Sequence, residues 1–369
     1  MSSPYSSYIF KRNGINIKNR VVLAAMTNKQ SYKDGRISQN EIDWLTYRAK
    51  GGFGIITTAA AHVSKDGQGW EGEFGLFNDN LIDDLSILTK SIQKYNSLII
   101  AQLFHGGMRS PQKLTGVRPL SASRIPCDVS TSGFTRSASV EDINKIIDDF
   151  TSAAIRCVES GFDGIELHGA HGYLLSQFLS KKINNRKDRW GGDIYGRSKI
   201  VRDIISSIKN NVPDSFILGI RISPEIDELG IYLNESIELV KILNNLGVDF
   251  IHISCWDIYS RSIEYRNNSK TLTEWFTHSI DNLPAIISTG NIWSSIDAKN
   301  VMKQGADFIG VARVAIPYPD WANNLGIDNY NPKKAPFTVK KLKEAGLSNT
   351  FINYMRKWNG FVCDGYEKN

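Results

Sequence analysis

The chain alternates between short, almost wholly apolar runs and longer stretches in which apolar residues recur every three or four positions. The short runs cover 21–26, 54–59, 98–104, 164–168, 217–222, 250–254, 285–290 and 308–313. Within each, Ile, Val, Leu and Ala follow one another with little alternation. That is the pattern of parallel strands buried on both faces. The longer stretches predict helices over 40–50, 81–95, 140–160, 194–210, 234–246 and 294–304. Ser139 is placed to cap the third. Asp142, three residues on, is short for the reciprocal bond of a capping box, although Glu141 and Asp142 both suit the positive end of the helix dipole. Asn234 is expected to cap the fifth. Gly161 and Gly247 follow helices where left-handed C-caps belong.

Strand and helix in regular alternation predict a (β/α)₈ TIM barrel. A doubly wound sheet is the rival, but no G-x-G-x-x-G turn supports it. The expected domain is single and spans 1–369, with a barrel core over about 17–319 and a C-terminal tail over 320–369 that contains Tyr354, Arg356 and Trp358. A Ser-, Pro- and Thr-rich segment, 111–136, breaks the rhythm after the third strand and is expected to form an excursion, in the shape of a hairpin, over the site. Barrel sites lie at the carboxyl ends of the strands. Thr27, Gln102, His105, His168, Arg221, Trp256, Gly290 and Arg313 fall there.

The densest chemistry follows the fourth strand, in H-G-A-H-G-Y. His168, His171 and Tyr173 are separated by small residues that let the backbone turn sharply. Imidazole N–H groups beside a phenol that stays protonated at pH 7 can polarise an oxygen and deliver a proton. The plainer reading leaves the histidines on backbone or metal and the tyrosine in the core. Arg221 lies inside an apolar strand and needs an anionic partner; a buried ion pair would also satisfy it. Ser288–Thr289–Gly290–Asn291 and Gly310–Val311–Ala312–Arg313 end the last two strands, where barrels bind phosphate through backbone N–H groups. His105 and Arg109 are read as solvated loop residues, and His62, His252 and His278 as structural or surface residues. Trp256 is expected to line the pocket, with a lid or core position as the alternative.

Composition narrows the classes. A formal charge of +6 with dispersed Lys and Arg gives no nucleic-acid footprint. The four cysteines, Cys127, Cys157, Cys255 and Cys363, lie far apart without a C-x-x-C, which argues against zinc ribbons and clustered iron–sulfur ligands. The first ten residues lack a cationic head before an apolar run, and no apolar run reaches the length of a membrane span. A cytoplasmic location and no membrane partner are therefore expected.

The segment from Gly164 to Arg197, with Gly191, Gly192 and Arg197 closing it, resembles the active-site segment of the old yellow enzyme family, the FMN-dependent ene-reductases. Asn19–Thr27 resembles that family's opening strand, and 307–313 its last. The resemblance spans about 17–319. It implies backbone contacts to FMN at Ala25 and Met26, and a Thr27 hydroxyl on flavin O4. It further implies Ala59 packed on the isoalloxazine, Gln102 on the pyrimidine edge, Arg221 at N1–C2, and Gly290, Ala312 and Arg313 at the phosphate. Ala25 stands where the family usually has proline and Ala312 where it usually has glycine. The missing cysteine cluster separates the chain from longer, cluster-bearing relatives. The implied activity is reduction of an activated alkene by NADPH or NADH through flavin N5, with His168 and His171 on the substrate oxygen and Tyr173 as proton donor. A small electrophilic alkene is the expected partner, and a homo-oligomer, with Arg356 reaching a neighbour's site, is left open. A metal-dependent barrel hydrolase using His168 and His171, and a non-catalytic flavin- or ligand-binding barrel, are the alternatives.

Overall fold

The computed structural model describes residues 3–364; the extremities of the expected 1–369 domain, 1–2 and 365–369, lie outside the described residues. Eight strands close a barrel: β1 (Val21–Leu23), β2 (Ile55–His62), β3 (Leu98–Phe104), β4 (Gly164–Gly169), β5 (Ile217–Ile222), β6 (Phe250–Ser254), β7 (Ala285–Thr289) and β8 (Phe308–Val311). All neighbours are parallel, and β8 pairs with β1. The connecting helices are α1 (Gln39–Lys50), α2 (Ile82–Gln93), α3 (Val140–Glu159), α4 (Lys199–Asn211), α5 (Leu233–Asn245), α6 (Leu272–Thr277) and α7 (Ser295–Lys303). The fold is the (β/α)₈ barrel that the alternation predicts.

Where the elements depart from expectation, local bonds explain it. Strand β1 leaves the ladder after Ala24, whose N–H still donates to Val311 at 2.9 Å. Strand β2 is longer than expected, and its register against β3 slips between Thr57 and Ala60. Such a bulge re-aims the side chains beyond it. Asp142 does close the capping box, its carboxylate accepting from the Ser139 N–H at 2.8 Å. Asn234 lies inside α5 rather than before it; Tyr232 takes the N-cap position and the Glu264 carboxylate accepts from the Asn234 N–H at 2.9 Å. Helix α6 was hidden by its six-residue length, and a Thr271–Glu274 capping box holds it. The stretch 194–210 is two helices, Ile194–Arg197 and α4, joined at Ser198. The excursion is not a simple hairpin: Leu120–Ser121 pairs parallel with Arg136–Ser137, and only Pro126 and Phe134 bridge antiparallel.

Inside the barrel the strands obey the period-two rule, apart from the bulge in β2. Outward residues such as Ile99, Ile165, Ile220 and Ile251 join the large core beneath the helices. Inward residues at the strand starts form a second, apolar layer: Val22, Ile55, Ile100, Ile217, Phe250, Ile287 and Phe308. Two glycines make room for this stacking. A Cβ on Gly219 would lie 2.2 Å from the Phe250 ring, and one on Gly310 would lie 1.8 Å from the Thr289 hydroxyl. The N-terminal strand pair, Tyr8–Ile9 with Asn16–Ile17, plugs this end with Phe10 and Ile17. The plug is anchored by Arg12, which grips the buried Asp249 carboxylate with Nε at 2.8 Å and Nη2 at 2.6 Å.

Arg12→Ala is expected to lower unfolding stability by about 2 kcal/mol. Hydrogen bonds to a charged group are worth ~1.5–3 kcal/mol each, and the half-open site trims that value. Urea titration followed by circular dichroism measures it; an unchanged midpoint would remove the anchor role.

Candidate active site

Above the apolar layer, the same inward positions become polar. Gln102 on β3, Glu166 and His168 on β4, Arg221 on β5, His252 and Ser254 on β6 and Thr289 on β7 all face in near the carboxyl ends. Register sets Gln102 beside Glu166 and His168 beside Arg221. The Gln102 amide donates to Glu166 Oε1 at 2.6 Å, and Glu166 Oε2 meets His252 Nδ1 at 2.6 Å. His252 Nε2 meets the Thr289 hydroxyl at 2.6 Å. Burial pushes the Glu166 carboxyl up, but His252, Arg221 and the Gln102 amide outweigh it and hold it below the usual carboxylate range. Arg221 donates to the Ala25 carbonyl at 3.2 Å and the Ser254 hydroxyl at 3.0 Å, while its buried Nε has no protein partner. A buried N–H of a cation without an acceptor is costly. It fits an anionic or carbonyl-bearing edge placed against β1 and β5.

The turn after β4 gathers the three rings. His171 adopts φ 61° and Gly172 φ 78°. Two successive left-handed residues reverse the chain over the strand end. The His168 ring centroid then lies 5.1 Å from His171 and 4.9 Å from Tyr173, both edge-on. His171 Nε2 meets the Ser254 hydroxyl at 2.7 Å, and Ser254 also accepts from Arg221. With the Ser254 proton turned to His171, Nδ1 carries the ring hydrogen. His168 Nδ1 accepts from the Ala170 N–H at 3.4 Å, which leaves Nε2–H as its donor. Burial first, then the Arg221 charge, pushes the His168 pKa down to about 3 and that of His171 well below its usual value. Both rings are neutral donors across physiological pH. Tyr173 packs edge-on against Phe104 at 4.6 Å and within 6.5 Å of Trp70. Burial raises its phenol, and Arg109 opposes that rise.

The ends of β7 and β8 lie side by side. Asn291 is left-handed at φ 51°, and its side-chain carbonyl accepts from Arg313 at 3.3 Å. Gly290 abuts the Cys255 carbonyl, which a Cβ would meet at 2.7 Å. Beneath Ala312–Arg313, the fully buried Arg48 of α1 donates to the carbonyls of Ala315 at 3.0 Å and Ile316 at 2.7 Å, with its guanidinium 4.2 Å from the Trp44 ring. A cation without a carboxylate thus pins the turn that follows β8. Ala25, Met26 and Thr27 follow β1 as part-buried residues outside regular structure, and Thr27 bonds the Tyr354 phenol from the tail. Ala59 is buried at the β2 bulge.

Several expectations change. Trp256 is 86% exposed and stands in solvent at the rim, so it lines no pocket here. Its neighbours Cys255 and Ile258 are instead bonded down to Thr289 and Gly290, which turns the indole outward. His105 is buried, not solvated, accepting from the Gly107 N–H at 3.0 Å. Arg109 is exposed but lies 4.5 Å over the Tyr173 ring and donates to the His171 carbonyl at 2.7 Å. His62 and His252 are buried, and His278 is exposed. Glu166, Ser254, Trp70 and Tyr354 were missed. Glu166 carried a signal, an acid at an inward position opposite Gln102; Trp70 and Tyr354 carried none, since only the folded loops bring them in.

Against known proteins, the model of the "NADH:flavin oxidoreductase / NADH oxidase family" matches residues 10–330. The chain is 32% identical over 324 residues to a probable NADH-dependent flavin oxidoreductase, YqiG, of Bacillus subtilis, covering 86% of each. It is also 32% identical over 323 residues to the NADH:acrylate oxidoreductase of Vibrio harveyi, covering 85% of this chain but 32% of that longer protein. The fold matches an old yellow enzyme homologue from Zymomonas mobilis with a TM-score of 0.81 at 21% identity, over 95% of this chain and 99% of that one. With a matching family model across the barrel and a flavin-handling relative over most of its length, the chain belongs to the NADH:flavin oxidoreductase family of the old yellow enzymes: it is an FMN-dependent oxidoreductase served by reduced nicotinamide.

Proposed function

We propose that this protein reduces the activated C=C bond of α,β-unsaturated carbonyl or nitro compounds, with reduced nicotinamide and alkene using one site in turn. The observation that carries the reading is the convergence of two neutral imidazoles and one protonated phenol above a buried guanidinium. When bound, FMN supplies hydride chemistry at that site. The backbone at Ala25 and Met26, the Thr27 hydroxyl, the Ala59 methyl, the Gln102 amide and Arg221 would hold its ring. Gly290, Ala312 and Arg313 would hold its phosphate. The unpartnered Arg221 Nε supports this assignment, because an edge that gathers negative charge would complete it.

The imidazoles bind the substrate oxygen as uncharged donors. Their N–H groups strengthen as that oxygen takes on enolate or nitronate charge, which favours the transition state over the ground state. Tyr173 delivers its proton to the α-carbon. The barrel-hydrolase alternative is disfavoured by the donor set: among the described residues no three His, Cys, Asp or Glu side chains group around a metal-sized gap.

The purified protein is expected to be yellow and to release FMN on mild denaturation. Arg313→Ala is expected to weaken FMN retention by about 10- to 100-fold, the equivalent of ~1.5–3 kcal/mol for one charged hydrogen-bonding group. Fluorescence titration of the apoprotein measures it, and undiminished affinity would reassign Arg313 to structure.

His168→Ala and His171→Ala are expected to weaken binding of phenols, whose oxygen would occupy the place of the substrate's. The long-wavelength absorbance of a phenol–flavin complex reports it. Binding as tight as in the parent by both variants would remove the histidines from the oxygen site.

In Tyr173→Phe, anaerobic reduction by the nicotinamide should stay within a few-fold of the parent. Reoxidation by cyclohexenone should slow ~10²–10⁴-fold, the range for a positioned general acid. Stopped-flow absorbance separates the two, and equal slowing of both would make Tyr173 a structural residue.

A further inference from the structure

Arg109 is the charged group of this mouth that the proposed reaction leaves without a part. It lies in the short turn Gly107–Arg109 after β3, reached through Gly107 at φ 61°. That turn is stitched to the helix Leu174–Leu179, which Tyr173 starts. Gln177 accepts from the Met108 N–H at 3.0 Å and donates to the carbonyls of Gly172 at 2.9 Å and Gly106 at 3.2 Å. The Leu174 N–H donates to His105 at 3.0 Å. On this frame the guanidinium carbon stands 4.5 Å from the Tyr173 ring centroid, and Nη1 donates to the His171 carbonyl at 2.7 Å. One side chain thus touches the residue that binds the substrate oxygen and covers the ring that gives up the proton. His171 holds a left-handed backbone, uncommon outside glycine although histidine takes it more readily than most, and the bond to its carbonyl helps fix that conformation.

Resting on the reaction proposed above, we infer that Arg109 is the positioning residue of the protonation step: it orients Tyr173 through the His171 turn and stabilises the phenolate left behind. In that step the Tyr173 O–H bond breaks and a C–H bond forms at the α-carbon. The π pair of the alkene, displaced to the α-carbon as hydride reaches the β-carbon, takes up the proton. The O–H pair stays on the phenolate oxygen, and solvent returns a proton before the next turnover. The phenolate forms in an aromatic box of Phe104, Trp70 and His168, where little water can solvate it.

The groups facing Tyr173 come from every side. Glu73, on the loop after β2, and Tyr354, on the tail helix Asn349–Met355, both oppose ionisation; Arg109 favours it. His168 and His171 are uncharged. Glu73 is buried, its own carboxyl pushed well up by desolvation while the Gly69 N–H donates to it at 2.7 Å. Arg109 is then the cation that acts on the phenol from the mouth, as a guanidinium does over an aromatic face.

The test uses the FMN-loaded protein and its Arg109→Met and Arg109→Lys variants, in stopped flow with brief pH jumps from pH 6 to 12, because burial holds the Tyr173 phenol above its usual value. Arg109→Met is expected to slow cyclohexenone reoxidation about 10-fold near neutrality. It should also move the alkaline fall of that rate to higher pH by about one unit, the lower end for an opposite charge at this distance because the guanidinium is exposed. The sign follows from losing a cation: the phenol becomes a weaker acid, so it donates more slowly yet stays protonated to higher pH. Arg109→Lys should retain most of the parent's profile. Reduction by the nicotinamide and reoxidation by a quinone should hold within about 2-fold in both variants, since neither protonates carbon. An alkaline limb that does not move, or equal slowing of every half-reaction, overturns the assignment. If Tyr173→Phe itself spares enone reoxidation, the proton comes from elsewhere and the role of Arg109 falls with that of Tyr173; if enones fail to reoxidise the parent, the alkene reading fails instead, which separates the two outcomes.

Discussion

Glu166 is a carboxylate fully buried inside a closed barrel, cut off from bulk solvent. It persists as an anion because three strands supply partners at once: the Gln102 amide, the His252 ring and the Arg221 charge. Remove any one and a buried charge loses part of its compensation, which is costlier than never having placed it. The layer's other members follow from it. His252 donates from Nδ1 if Glu166 is to accept from it, and in the neutral ring, which burial favours, Nε2 then takes the Thr289 hydroxyl proton. Thr289 in turn occupies the space that Gly310 leaves open. Arg221 can remain charged at the strand ends because Glu166 lies one layer below.

That polar layer separates two functions of one tube. Below it, Phe250, Phe308 and Ile287, sealed by Phe10, give a dry and rigid floor. Above it, the strand ends release short turns whose side chains are aimed by the strands themselves. His168 and Arg221 share a register pair, and Ser254 links Arg221 to His171. The mouth is therefore an extension of the ladder and not a free loop surface, which is how a barrel holds reacting groups to fractions of an ångström.

The electrostatics of the mouth favour anions without crowding it with charge. The imidazoles are held neutral by burial and by Arg221, so they offer directional donors and no long-range field. Charge comes from two guanidiniums, Arg221 beneath and Arg109 beside Tyr173. A developing enolate would meet hydrogen bonds first and cations second. On the reaction proposed above, this order would leave the ground-state carbonyl weakly held and reward the transition state.

The sequence by itself determined the architecture and most of the mouth. Eight apolar runs buried on both faces admit few arrangements other than the barrel, and inward polar residues such as Gln102, His168 and Arg221 stand out because period-two alternation makes an interior arginine or histidine anomalous. H-G-A-H-G-Y was legible for the same reason: small residues between rings mark a turn. Direction, protonation and long-range contact were not legible. Trp256 follows a strand end just as Thr27 does, yet backbone bonds to β7 turn it outward. Arg109 read as solvated because its partner lies 64 residues further on, and nothing local reports that Gln177 binds the two turns together. Tyr354 reaches Thr27 through docking of its helix, where Phe351 packs edge-on against Trp44 of α1 and Ser348 bonds Gln30. Periodicity encodes which face a residue takes; only closure of the barrel and docking of its loops decide which residues meet, because those contacts depend on distances that no local pattern carries.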